Sequence, residues 1–110
     1  MPKKSSPTQK SLKRLRDAGY TVAISEHWNS FCKVRQDLFG WMDLCCLHPD
    51  VKGVIGVQTT TRHNMKARKD KILALPAAHL WMKCGNVIWI HGWDGQVLHE
   101  EVVEVFGMVI

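Results

Sequence analysis

Asp43 stands inside an otherwise apolar stretch, Trp41-Met-Asp-Leu-Cys-Cys-Leu47. A carboxylate among apolar neighbours is costly to bury unless it is paired or binds a metal ion. Fifteen residues later, Gln58-Thr-Thr60 closes a second apolar run that starts at Val54. Strand side chains alternate, so Val54, Gly56, Gln58 and Thr60 share one face, and Ile55, Val57 and Thr59 share the other. If these two runs form a hairpin, Asp43 and Gln58 converge on one point. Tyr20 to Trp28 alternates as well, with Val22, Ile24, Glu26 and Trp28 on its more apolar face. Glu26 can then join the other two.

Each of these residues has a plainer reading. Asp43 can pair with Arg35 or His48, Gln58 can be a satisfied buried amide, and Glu26 can pair with a neighbouring base. Thr60 and Thr61 are good N-caps for a following helix. Asp37, six residues before Asp43, is a turn or cap residue or else a member of the site. The histidines lack zinc-ligand spacing, and the adjacent Cys45 and Cys46 cannot both close a tetrahedral site with His48. No glycine-rich phosphate loop is present.

The elements that must hold these residues follow from pattern. Residues 1–8 read as a flexible basic tail. A helix over 9–18 puts Leu12 and Leu15 on one face and stops at Gly19. Strands follow over 20–28, 38–47 and 54–60, with a loop over 29–35. The His48-Pro49-Asp50 turn and Lys52-Gly53 separate the second strand from the third. A helix over 62–75 sends Met65, Ile72 and Leu75 to the core, and Pro76 opens a second helix that Gly85 closes. Strands over 86–93 and 96–106 flank the Asp94-Gly95 hairpin turn. The order α-β-β-β-α-α-β-β makes one α/β domain over 9–110, with a single mixed sheet of about five strands flanked by helices.

Composition agrees: 110 residues, 45% hydrophobic and 23% charged, suit one ordinary globular domain. No apolar run is long enough to cross a membrane, and the basic, polar stretch from Met1 to Pro7, with no apolar segment behind it, does not read as a secretory signal. Four cysteines without CxxC spacing suit reduced thiols in a cytoplasmic protein. All 15 Lys and Arg precede residue 94, whereas Asp94, Glu100, Glu101 and Glu104 follow with no base. That asymmetry suggests a basic working surface, for which phosphate backbone is the commonest partner, and a separate acidic edge. Five tryptophans are many for this length. Most belong in the core, and one or two near the site can stack on unpaired bases.

Leu38-Phe-Gly-Trp-Met-Asp43, Gly53-Val-Ile-Gly-Val-Gln-Thr-Thr60 and the helix over 62–75 together resemble the PD-(D/E)xK nuclease superfamily. The likeness is strongest to small Holliday-junction-resolvase-like and virus-type replication-repair nuclease domains, and it spans about residues 9–93. It implies a restriction-endonuclease-like core that hydrolyses phosphodiester bonds with Mg²⁺ or Mn²⁺. Asp43, Gln58 and Glu26 are the implied metal ligands, and Asp43, Gln58, Thr60, Glu26 and Lys66 the implied catalytic set. Gln58 stands where the family carries Glu, and Thr60 where it carries Lys, so Lys66 or Lys69 is asked to project back from the helix. Arg35, Arg62, Lys66, Arg68, Lys69, Lys13 and Arg14 are the expected nucleic-acid contacts. The implied partners are DNA, branched DNA included, and a dimer mate or second protein; the setting is the cytoplasm, of a bacterial host if the source is a phage. The alternative is a catalytically degenerate nuclease fold that serves as a nucleic-acid-binding or protein-interaction module.

Overall fold

Ser6 opens the first helix, its Oγ accepting from the Gln9 N–H at 3.2 Å, with Pro7 at the first helical position. Proline is favoured there because its missing N–H would have no partner anyway. This computed structural model describes residues 5–104. Residues 1–4 of the expected tail and the expected strand end at Phe106 lie outside the described residues.

Chain order is α1 (Pro7–Asp17), β1 (Thr21–Ile24), β2 (His27–Asn29), β3 (Val34–Gln36), β4 (Leu44–Leu47) and β5 (Ile55–Thr61). A 3₁₀ turn (Arg62–Asn64), α2 (Met65–Leu73), α3 (Pro76–Lys83), β6 (Val87–Asp94) and β7 (Val97–Val103) follow. Five strands make one mixed sheet in the order β1-β4-β5-β6-β7. Only β5 and β6 run parallel. A parallel step needs a crossover, and the 3₁₀ turn with α2 and α3 supplies it.

Helices cover both faces. On one, Leu12 and Leu15 of α1 pack on Val22, Leu44, Cys46, Ile55 and Val57. On the other, Ile72 and Ala78 of α2 and α3 pack with Trp41, Met42, Ile88, Ile90 and Val103. Strand β5 lies between the two layers and is buried from Ile55 to Thr60, as a doubly covered strand must be. Two glycines let the second layer close. A Cβ on Gly56 would collide with the Trp41 ring, and one on Gly92 with Met65 Sδ.

The α/β class and the five-strand mixed sheet match the expectation. Several boundaries do not. The helix begins at Pro7, so the tail is shorter than 1–8. The first strand stops at Ile24, because the Asp43 carbonyl accepts both the Ser25 and the Glu26 N–H, at 2.9 and 3.4 Å, and turns the chain away. Glu26 therefore leaves the core face, and Ile24 and Trp28 are exposed. Residues 29–35 are not simply a loop, since β2 and β3 pair as a separate two-stranded hairpin. The second strand is only four residues long. Before it, Leu38–Met42 fold into a tight turn with Phe39 and Gly40 at positive φ (57° and 84°). Thr61 precedes the 3₁₀ turn without a side-chain cap; its hydroxyl meets His63 Nδ1 at 3.4 Å instead.

Candidate metal centre

The Asp43 N–H donates to the Val57 carbonyl at 2.8 Å, so pairing continues one residue ahead of β4. Leu44 faces Val57 in that register, which puts Asp43 opposite Gln58. Both are almost fully buried, at 4% and 2% exposure. One carboxylate oxygen, Oδ2, accepts three donors: Gln58 Nε2 at 2.9 Å, the Thr59 N–H at 2.8 Å and Thr59 Oγ1 at 3.1 Å. Thr59 Oγ1 in turn meets Thr8 Oγ1 at 2.7 Å. With the Thr59 hydroxyl directed at Asp43, Thr8 donates, and the first turn of α1 is fastened to the site.

Two more acids arrive from the hairpin. His27 pairs with Gln36, Trp28 with Arg35 and Asn29 with Val34. Glu26 and Asp37 flank this pairing, one residue before His27 and one after Gln36. Like charges opposite one another destabilise a hairpin, yet both sit here beside a third. Oxygens of Glu26, Asp37 and Asp43 all lie within 4.8 Å of one another. Burial, and then a hydrogen bond with Asp37, push the Asp43 carboxyl from 3.8 up to about 8, against the lowering effect of the Thr59 donors. Arg35 Nη1 stands 3.8 Å from Glu26 Oε1 and offsets part of the charge. A cleft of about 380 Å³ opens alongside, lined by His27, Arg35, Gln36, Asp37, Gly40 and Lys71.

Gln58 adds an independent sign. Its Oε1 is buried and accepts no hydrogen bond; Trp41 Nε1 is the other such atom among the described residues. A buried unpartnered acceptor costs about 1–3 kcal/mol. Carboxylate and amide oxygens are hard donors, the kind that Mg²⁺ or Mn²⁺ prefers.

The structure thus brings Asp43 together with Gln58, Glu26 and Asp37, the last on the site side of its two readings. Asp43 pairs with neither Arg35 nor His48: Arg35 faces Glu26, and His48 faces Asp50. Thr60 is buried two positions beyond Gln58. Lys66 does not project back from α2; it is 88% exposed and pairs with Asp70 at 3.2 Å. Lys69 is held by Glu101 of β7 at 2.7 Å, which raises its pKa. Lys71 is the α2 cation that reaches the cleft, and nothing in the helical pattern singled it out. The other expected nucleic-acid contacts lie apart from the acids. Arg62 lines a hollow with His63, Trp93 and Asp94. Lys13 and Arg14 line a groove of about 850 Å³ beside α1, with Lys10, Thr61 and Trp93. Arg68 is half-buried on α2.

A second buried polar chain escaped the sequence reading. Trp93 Nε1 donates to Ser11 Oγ at 2.9 Å, Ser11 Oγ meets His91 Nδ1 at 2.8 Å, and His91 Nε2 meets Glu100 Oε2 at 2.9 Å. An indole N–H only donates, so one arrangement satisfies every atom: Ser11 gives its proton to Nδ1, and Nε2–H donates to the carboxylate. The order Ser-His-Glu has the connectivity of a nucleophilic triad, but Ser11 and His91 are both 0% exposed, so no substrate reaches the hydroxyl. The chain ties α1 to the sheet instead.

No helix among the described residues is long and apolar enough to cross a membrane. No protein-family model, curated protein or solved structure matches this chain.

Proposed function

We propose that this protein is a small metal-dependent nuclease that hydrolyses phosphodiester bonds of DNA in the cytoplasm. The observation that carries the reading is the meeting of Glu26, Asp37 and Asp43 within 4.8 Å, with Gln58 hydrogen-bonded to Asp43 through Nε2 and its buried Oε1 unpartnered. Those four residues would hold Mg²⁺ or Mn²⁺. When bound, such an ion supplies an activated water and neutralises charge developing on the phosphate. The chain's own residues do the rest. The Thr59 N–H and hydroxyl fix the Asp43 carboxylate, and Thr8 fixes Thr59. Arg35 and Lys71, at the mouth of the cleft, steer a phosphate inward and bind its free oxygens. Lys71 fills the charge role that Thr60 cannot.

The test is incubation of plasmid and branched DNA with the protein in Mg²⁺ or Mn²⁺ and then in EDTA, beside the Asp43→Asn variant. Cutting is expected with metal alone, and lost in EDTA and in the variant. Cutting that survives EDTA, or a variant that cuts at the wild-type rate, overturns the reading. Thr60 supports a second reading, a nuclease-like scaffold kept for binding. Metal and DNA binding without cutting, in a protein shown to be folded, is the result that favours it.

A further inference from the structure

The hairpin that supplies Glu26 and Asp37 does more than place two acids. Its ten residues, His-Trp-Asn-Ser-Phe-Cys-Lys-Val-Arg-Gln from 27 to 36, carry Lys33 and Arg35 and no acid. They also carry large apolar side chains into solvent: Trp28 is 54% exposed, Val34 47% and Phe31 94%. The hairpin pairs only with itself, outside the main sheet. Its tip is nevertheless shaped. Asn29 Oδ1 accepts the N–H groups of Phe31 and Cys32, both at 3.0 Å, and Lys33 takes a positive φ of 58° to complete the turn. Three large apolar side chains exposed on one short arm suit an interaction surface.

We propose that this arm is a stacking platform for unpaired nucleobases, and that the substrate is nucleic acid with bases splayed out of the duplex beside the scissile phosphate. The inference rests on the nuclease reading for where that phosphate lies. Trp28 faces Arg35 directly across the hairpin, and Arg35 reaches Glu26 on the same side. The stacking ring, a phosphate-binding cation and the acids are therefore in line along one hairpin face. Trp28 is two strand residues from Glu26, roughly 7 Å, so a base on its ring belongs to a nucleotide at the site or next to it. Charge favours this occupant over a second copy of the chain. Between Glu26 and Asp37 the arm carries two cations and no acid, a charge that draws a polyanion to its aromatic side chains. Stacking with cationic flanks is the general recipe for holding single strands without reading their sequence.

The test compares fluorescein-labelled forked duplex, single strand and blunt duplex of equal length, titrated with protein in low salt and EDTA so that no cutting intervenes. The wild type is expected to bind fork and single strand more tightly than blunt duplex. Trp28→Ala should weaken the first two by roughly 5- to 150-fold and leave the duplex unchanged. Trp28→Phe should retain most of the affinity, and Phe31→Ala should repeat the loss at the far end of the arm. Trp28 is half exposed, so its loss leaves the core intact, and circular dichroism confirms that. Equal losses on all three probes, no loss on any, or no binding to any overturns the platform. So does a wild-type dimer that Trp28→Ala dissolves with fork affinity unchanged, which would make the arm an interface between copies. The two readings fail separately. Fork preference that depends on Trp28 alongside EDTA-resistant cutting removes only the metal site. Cutting that needs metal and Asp43 without a fork preference removes only the platform.

Discussion

At Asp43, three donors favour the charged carboxylate, while burial and Asp37 favour the neutral acid. The second pair prevails and holds the group near pH 8. An acid whose folded value is raised binds more protons folded than unfolded. It contributes stability fully present below pH 3.8 that is lost as pH rises towards 8, by up to about 1.4 kcal/mol per pH unit. Asp43→Asn keeps an oxygen for the three donors and cannot ionise. It should flatten the fall in stability between pH 4 and pH 8, read by urea denaturation in EDTA, and abolish Mn²⁺ binding by calorimetry. An unchanged pH profile would place the buried proton elsewhere. Gln58→Glu should tighten Mn²⁺ binding and lower stability in EDTA, because a fourth carboxyl joins the cluster. Asp43 and Gln58 were readable from sequence, since alternation along two apolar runs fixes which side chains meet. Glu26 lies off the core face that strand alternation assigns to it, because the chain turns at Ser25. The partnership of Asp37 with Glu26 depends on hairpin register, which no periodicity over Asn29–Arg35 reveals.

Helix α1 is tied to the sheet by polar contacts through Thr8 and Ser11. Ser11→Ala leaves the Trp93 N–H and one His91 nitrogen without their partner. The expected cost is about 1–3 kcal/mol, read from the denaturation midpoint at unchanged slope. Gly56→Ala drives a methyl into the Trp41 ring and should cost about 1–3 kcal/mol by overpacking. A cost below half a kcal/mol would mean that Trp41 moves freely. The strands of the main sheet were readable because their runs are apolar and bounded by Gly, Pro or Asp. The Ser11-His91-Glu100 chain was not. Its members lie 80 and 9 residues apart, and only the parallel crossover brings α1 over β6.

Over the whole molecule, the positive charge is spread across separate surfaces. Lys66 and Lys69 answer Asp70 and Glu101, whereas Arg35 and Lys71 flank the cleft. Arg35→Ala with Lys71→Ala should flatten the slope of log affinity for duplex DNA against log salt by about 1.8, two contacts at about 0.9 each. Lys66→Ala with Lys69→Ala should change it by less than one contact. The reverse result would move the nucleic acid to the outer face of α2. The acidic C-terminal segment, expected as a separate edge, is partly spent internally: Glu101 holds Lys69 and Glu100 holds His91. The hydrogen bond from His91 lowers the Glu100 carboxyl. That contribution is present above the ordinary Glu range and lost as pH falls through the lowered value, opposite in sign to Asp43. Stability in EDTA should therefore show an intermediate pH at which the two trends meet, and Glu100→Gln should remove the acid limb alone.

Glu26 and Asp37 are far apart along the chain and face each other only because everything between them folds back in step. The length of the excursion is therefore independent of the separation it produces at its root. A version in which residues 28–35 give way to Asn-Gly, a dipeptide that closes two-residue hairpins, keeps His27 opposite Gln36 and the acids where they are. Such a protein should still bind Mn²⁺, lose the preference for unpaired strands, and bind duplex DNA more weakly by the one phosphate contact that Arg35 supplies. The proposed substrate range can thus shift with the length of the excursion, with no residue of the acidic cluster altered.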